Sequence, residues 1–178
     1  MRKIIEYTLL SADGVFENPA SWGAMSYRDD GYLRDGLGLL RSCDAMLIGR
    51  VTYESLAKIW PSRTDPWATR LNEMKKYVFS SKLDKVEWNN STLIRGDVVA
   101  AVTQLKQESG ASLLIWGHGM LGATLLDHGL TDFLDLSVHP VIVGNGRRFF
   151  REGKSAKLKL VGTKSFSKIV KLSYEPQH

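Results

Sequence analysis

Apolar and polar positions along this chain follow two alternating rhythms. Residues 3–10 carry Ile, Tyr, Thr and Leu in a run that ends at Ser11-Ala12-Asp13-Gly14, which predicts a strand entering a turn. From Asp29 the rhythm becomes helical. Leu33, Leu37 and Leu40 stand at i, i+4 and i+7, and Asp29 or Asp30 is placed to cap the exposed N–H groups. Gly36 and Gly38 interrupt this helix and are expected to let it pack closely against a sheet. Residues 44–49 form a continuous apolar run closed by a glycine, the pattern of a strand buried on both faces, and 76–80 and 92–94 resemble it. Asp97 then heads a helix with Val98, Ala101, Val102 and Leu105 on one stripe, stopped by Ser109-Gly110. Residues 112–116 predict another buried strand, 119–127 a helix ended by Gly129, and 133–139 a strand before Pro140.

Beyond that point, 158–161 and 169–174 flank Ser165-Phe166-Ser167 with no helical stretch between them, which predicts an antiparallel pair. Strand, glycine and helix in repeated order, followed by a hairpin, imply an α/β fold whose sheet is parallel in the middle and mixed at its edge. With 178 residues and no repeat or low-complexity linker, one domain over 1–178 is expected. The tryptophans Trp60, Trp67 and Trp88 fall in a middle stretch that reads as irregular.

Composition narrows the classes. Apolar residues make up 43% and the net charge is only +5, which excludes a disordered chain. The single cysteine, Cys43, excludes an internal disulfide framework and fits a reducing, cytoplasmic setting. The longest uncharged apolar stretch, 111–126, contains Gly117, His118, Gly119 and Gly122 and falls short of the roughly 18 residues that a membrane span needs. Met1-Arg2-Lys3 has the charge of a signal-peptide start, but Glu6 and Asp13 interrupt the apolar run after it, so the start is expected to be part of the fold. Basic residues are scattered, Lys75-Lys76 and Arg147-Arg148 being the densest pairs after Arg2-Lys3. Such pairs usually lie on solvated faces, and the mild positive balance suits an anionic small molecule as well as nucleic acid, so charge alone does not decide the partner. No ligand spacing for a metal and no Ser-His-Asp context is present.

Three strand ends carry candidate chemistry. Gly117-His118-Gly119-Met120-Leu121-Gly122 matches G-x-G-x-x-G between a strand and a helix, where glycines let a pyrophosphate approach backbone N–H groups and the positive end of a helix. Its place late in the chain, and the lack of an acid at the end of the next strand, argue against a Rossmann dinucleotide fold. Tight strand-to-helix packing is the competing use of such glycines. Gly49-Arg50-Val51-Thr52 also follows a buried strand, with Thr52 read as a helix N-cap and the Arg50 guanidinium suited to a phosphate. Ser80-Ser81-Lys82 adds hydroxyls and a cation at a third end, or forms an ordinary polar turn.

Five segments together resemble the dihydrofolate-reductase-like superfamily, in particular the branch holding the reductase domain of bacterial riboflavin biosynthesis. They are Leu10-Ser11-Ala12-Asp13-Gly14-Val15, Leu47-Ile48-Gly49-Arg50-Val51-Thr52-Tyr53-Glu54, Val78-Phe79-Ser80-Ser81, Leu114-Ile115-Trp116-Gly117-His118-Gly119 and His139-Pro140-Val141-Ile142-Val143-Gly144-Asn145-Gly146. The resemblance spans almost the whole chain and implies a three-layer α/β sandwich, a mostly parallel mixed sheet and an NADPH-dependent reductase. It implies that Ala12 touches the nicotinamide amide through its backbone. Gly49, Arg50, Val51 and Thr52 on one side, and Gly117, His118, Gly119, Met120 and Leu121 on the other, would hold the pyrophosphate. Arg50, Ser81 and Lys82, next to Ser80, would surround the 2′-phosphate.

On the substrate side the resemblance implies an acidic anchor early in the first long helix, at Asp29 or Asp30, either of which serves equally as the helix cap. It also implies a mobile loop at Trp22-Gly23-Ala24-Met25 and a substrate-facing Ser137, with His139 on the same strand face. The riboflavin-pathway segment acidic-Pro-Leu-Thr-Arg is echoed only by Asp65-Pro66 and Thr69-Arg70, displaced and shortened. One cysteine leaves no zinc deaminase site of the bifunctional enzymes. The expectation is a stand-alone reductase acting on a pterin-like, riboflavin-precursor-like or carbonyl-type small molecule, related to 5-amino-6-(5-phosphoribosylamino)uracil reductase. A non-catalytic NADP(H)-binding regulatory or structural protein is the alternative. A homodimer joined through the C-terminal strands is also expected, covering residues 138–143 and Phe149-Phe150. Arg147 or Arg148 is placed to meet a substrate phosphate or to sit on a solvated hairpin.

Overall fold

The near-continuous apolar runs form strands covered on both faces in the computed structural model, which describes residues 1–177. β1 (Ile4–Ser11), β2 (Cys43–Gly49), β3 (Lys75–Phe79), β4 (Ser91–Ile94), β5 (Ser112–Trp116) and β6 (Phe133–His139) are parallel. They join an antiparallel pair, β7 (Lys157–Ser165) and β8 (Val170–Gln177), in one sheet of order β4-β3-β2-β5-β1-β6-β8-β7. Three-layer packing follows from the alternation of side chains along each strand. On one face Tyr7, Leu9, Met46, Ile48, Val78 and Leu114 pack against Tyr32 and Leu40 of α1 (Asp30–Ser42), Tyr53 of α2 (Arg50–Leu56) and Leu71 of α3 (Pro66–Glu73). On the other, Ile4, Ala45, Leu47, Leu113 and Ile115 meet Val102 and Leu105 of α4 (Val98–Gln107) and Leu121 and Leu125 of α5 (Gly119–Asp127). A third cluster, Leu10, Leu134, Leu136 and Phe149, fills the space toward β8.

Several local expectations need correction. The inward stripe of α1 is Tyr32, Gly36 and Leu40, one position away from Leu33 and Leu37, which are half-buried. Gly36 makes room for α3 rather than for the sheet: a Cβ there would stand 2.6 Å from the Trp67 ring, whereas one at Gly38 would meet nothing within 4 Å. The middle stretch is irregular around Trp60 and Trp88, but Trp67 lies in a helix, α3. Asp65 caps α3 by accepting from the Trp67 and Ala68 N–H groups, Pro66 opens it, and Arg70 donates to the Leu40 and Cys43 carbonyls. The segment that echoes a substrate motif therefore ties α3 to the end of α1. Trp88 is buried, donating to Asn72 at 2.6 Å and lying 4.5 Å from the Nζ of Lys76. That lysine is fully buried on the carbonyls of Met74 and Asn89, and burial pushes its pKa down to about 8.

At the far edge, β6 lies inside the sheet between β1 and β8, so it offers no free edge to a second copy. Phe149 is buried while Phe150 and Ile142 are exposed. The outer strand is β7, whose exposed Lys157, Lys159 and Lys164 discourage edge pairing.

Candidate cofactor cradle and substrate floor

Because β2 and β5 are parallel neighbours, the helices that follow them start side by side. Gly49, not Thr52, is the N-cap of α2, and Thr52 stands one turn inside it. A Cβ at Gly117 would meet the Thr52 hydroxyl at 3.7 Å, and one at Gly49 would meet Leu121 at 3.9 Å, which measures how closely the two turns abut. Gly117 and Gly119 have φ of 74° and 59°, conformations that side chains disfavour. The Gly117 N–H is engaged by the Tyr7 carbonyl. A Cβ at Gly119 would meet nothing within 4 Å, so the space beside that residue is open. The first turns of α2 and α5 thus present backbone N–H groups toward one place, each with the positive end of a helix behind it.

His118 turns the other way. Its ring is buried, donating from Nδ1 to Glu6 Oε1 at 2.6 Å, with Phe149 at 4.2 Å and Phe16 at 5.2 Å between ring centres. Its side chain therefore supports the turn from inside the sheet, and only its backbone reaches the cradle. Gly122, the last glycine of the motif, serves this pair. A Cβ there would sit 2.7 Å from Glu6 Oε1 and 2.8 Å from His118 Nδ1. Met120 is exposed and Leu121 belongs to the core.

Arg50 lies half-exposed at the start of α2, its Nη1 on both carboxylate oxygens of Glu54 at 3.1 and 2.9 Å, and Val51 is exposed beside it. Ser80 uses its hydroxyl inside its own turn, accepting from the Lys82 and Leu83 N–H groups at 3.0 Å each. Ser81 and Lys82 are exposed on that turn, at the end of β3 next to β2.

The turn after β1 is stapled to the loop after β6. Ala12 donates to the Val141 carbonyl at 2.7 Å, which leaves its own carbonyl as the group available to a ligand. Asp13 accepts from Val143 and Gly144 N–H groups and from the Ser11 hydroxyl, and these bonds hold its pKa well below the usual carboxylate range. Arg147 pairs with Glu17, and Arg148 donates to the Asp13 carbonyl, so both arginines fasten this loop.

Beside the staple lies a second set of residues. Asp29 caps α1 through Tyr32 N–H at 2.7 Å and holds the Ser167 N–H at 2.8 Å with its other oxygen, which lowers its pKa to about 2. Its carboxylate is thus committed to the cap and the hairpin, while Asp30 is exposed on the first turn. Ser137 is fully buried beside a hydroxyl pair that no sequence pattern marks, Tyr7 and Tyr32, 2.5 Å apart. Burial raises the pKa of both phenols, so both stay protonated. His139, two residues on, is fully buried, ringed edge-on by Trp22, Tyr27 and Tyr32. His139 Nε2 and Arg28 Nε have no hydrogen-bond partner among the described residues, while the Ser137 hydroxyl lies against both phenols. Tyr7 was visible in the sequence only as an apolar strand position, and Tyr32 only as a residue beside the leucine stripe.

Among the described residues no group of three His, Cys, Asp or Glu side chains is placed to hold a metal, and no helix is long and apolar enough to cross a membrane. The family model of the RibD C-terminal domain matches residues 2–172. The chain is 29% identical to the uncharacterized protein YyaP of Bacillus subtilis, over 97% of this chain and 94% of that one. Its fold is similar to that of a pyrimidine reductase-like protein from Corynebacterium diphtheriae, with a TM-score of 0.73 and 13% identity over 99% and 92% of the two chains. It is similar also to a diaminohydroxyphosphoribosylaminopyrimidine deaminase/5-amino-6-(5-phosphoribosylamino)uracil reductase from Thermotoga maritima, with a TM-score of 0.68 and 14% identity. That match covers 99% of this chain and 57% of the Thermotoga chain.

Proposed function

This chain belongs to the RibD C-terminal domain family, and from that premise we propose that it is a reductase using NADPH to reduce a small heterocyclic molecule, pterin-like or riboflavin-precursor-like, or a carbonyl-type one. The observation that carries the cofactor is the close abutment of the turns that open α2 and α5, with Gly117 against Thr52 and Gly49 against Leu121, beside an unobstructed Gly119. Backbone N–H groups of Val51 and Thr52 on one side, and of Gly119, Met120 and Leu121 on the other, hold the diphosphate. Arg50, with Ser81 and Lys82 from the turn that Ser80 shapes, takes the 2′-phosphate, while Glu54 keeps the guanidinium in place. The Ala12 carbonyl receives the amide of the nicotinamide. NADPH, when bound, supplies the hydride. The protein's part is to align the rings, exclude water and present the floor formed by Tyr7, Tyr32, Ser137 and His139 to the substrate.

Screening NADPH oxidation against pyrimidines, pterins, flavin precursors and carbonyl compounds tests this assignment. Oxidation with at least one class is expected. Saturable NADPH binding with no oxidation by any class leaves a non-catalytic NADP(H)-binding protein, and absence of NADPH binding removes the cofactor altogether. A cytoplasmic homodimer belongs to the same proposal, its contact centred on the exposed Ile142 and Phe150. Light scattering should then give twice the chain mass of 19.9 kDa.

A further inference from the structure

Two buried polar atoms lack partners here, His139 Nε2 beneath the loop that carries Trp22 and Arg28 Nε at the end of that loop, and the Ser137 hydroxyl on the same strand face lies against the Tyr7 and Tyr32 phenols. Unmet buried polar groups are costly and mark places where another molecule completes the hydrogen bonding. The covering loop has left-handed backbone at Asn18 and Gly23 and bears Trp22 and Tyr27, whose rings stand 5.3 and 6.1 Å from the imidazole of His139. Tyr32 completes the aromatic wall at 6.3 Å. Upstream, residues 11–17 are fastened to the loop after β6 through Ala12, Asp13, Phe16 and Glu17. The stretch that carries Trp22 is held to this fastened segment by the indole N–H, which donates to the Glu17 carbonyl at 2.9 Å, so that bond must open for the loop to lift.

The hydrogen bonds of His139 fix what it can offer. Its Nδ1 lies 2.9 Å from the Ser137 carbonyl and 3.2 Å from the Leu10 carbonyl. Carbonyl oxygens only accept, so Nδ1 carries the hydrogen, and in a neutral imidazole Nε2 is then a bare lone pair. Burial keeps the ring neutral by lowering its pKa, and the nearby Arg28 charge acts in the same direction.

We propose that His139 determines substrate specificity as a hydrogen-bond acceptor: the molecule reduced here is a flat, uncharged ring that presents an N–H donor to Nε2 when the Trp22 loop lifts. This rests on the reductase assignment above and adds a rule to it. A ring offering a lone pair or a negative charge at that position meets the Nε2 lone pair and is rejected, because a buried acceptor facing another acceptor loses its only chance of a partner. The Ser137 hydroxyl on the same strand face, able both to donate and to accept, tolerates either group beside that N–H.

Lumazine, which has ring N–H donors, and 1,3-dimethyllumazine, which has none, are probes that differ in this feature. Calorimetric titration of the full chain should give binding of lumazine at least tenfold tighter than that of the dimethyl compound, with and without NADP⁺. H139F, which keeps an aromatic ring and removes the lone pair, should level the two, and H139Q, which keeps a donor and an acceptor, should restore part of the preference. Long-range proton–nitrogen spectra of the unmodified protein should show His139 as the Nδ1–H form, with its bare nitrogen shifting when lumazine is added. Equal binding of the two compounds, no binding of lumazine, a preference that survives in H139F or an Nε2–H form of His139 each overturns the proposal. NADPH titrated in parallel separates the two levels: if it still binds, only the role of His139 falls, and if it does not, the reductase assignment falls as well.

Discussion

The ends of β2 and β5 and the ends of β1 and β6 lie on the same edge of one parallel sheet, and they are built from different materials. At β2 and β5 the working groups belong to the backbone: left-handed turns at Gly117 and Gly119, the first turns of two helices, and open space beside Gly119. At β1 and β6 they are side chains, Tyr7, Ser137 and His139, joined by Tyr32 of α1 and withdrawn from water beneath an aromatic loop. A backbone cradle suits a ligand whose phosphates are always the same. A floor of side chains changes with single substitutions, so under the reductase reading proposed above the part that would choose the substrate is the part free to diverge.

Substitutions that separate the two regions sharpen this contrast. The largest effect is expected at Gly119, where Gly119→Val should weaken NADPH by about a hundredfold or more, ~2.8 kcal/mol. Lumazine binding should be unaffected. Circular dichroism reports whether the variant is folded, and Gly119→Asn, which tolerates left-handed backbone, provides a second substitution if valine is too strained. Gly122→Val should act on the fold instead, because its Cβ runs into Glu6 and His118. A loss of roughly 1–3 kcal/mol in urea denaturation is expected, typical of overpacking. If Gly122→Val kept full stability, the Glu6–His118 pair would not be what that glycine accommodates.

A smaller change is expected at Arg50. Arg50→Ala should weaken NADPH about tenfold, ~1.4 kcal/mol, and hardly touch NADH. Equal losses for the two cofactors, measured by tryptophan fluorescence, would place the guanidinium on the shared pyrophosphate. The smallest effect concerns the floor. His139 has its pKa held below 6.5 by burial. As pH falls through about 6.5 the unfolded chain takes up a proton that the folded chain refuses, so this residue lowers stability progressively on the acid side. Urea midpoints at pH about 7.5 and about 5.5 should differ less in His139→Gln than in the parent. An identical pH slope would mean that His139 titrates alike in both states.

The same division explains how far the sequence could be read. Strand-glycine-helix order is local, and it located the parallel strands, the terminal hairpin and the neighbouring turns at Gly49 and Gly117. The α3 segment was lost because Trp67 and Leu71 look irregular until Gly36 is seen to leave room for the indole. Asp29 looked like a substrate anchor or a cap, and only the N–H groups of Tyr32 and Ser167 show that its carboxylate is committed. The tyrosine pair was invisible for a deeper reason. Tyr7 and Tyr32 meet across 25 residues of sequence, and nothing in either segment announces a buried hydroxyl partner. Likewise the three-residue spacing of the last two motif glycines said nothing of Glu6, which comes from the central strand and takes the space that a Cβ at Gly122 would fill.

The reductase assignment depends on the strand-end cradle holding NADPH. Titrating the unmodified protein with NADPH and with NADH, following tryptophan fluorescence, tests it most directly. Saturable binding of both is expected, with NADPH tighter by about tenfold or more, ~1.4 kcal/mol. Absence of saturable NADPH binding, or equal affinity for the two, would contradict it.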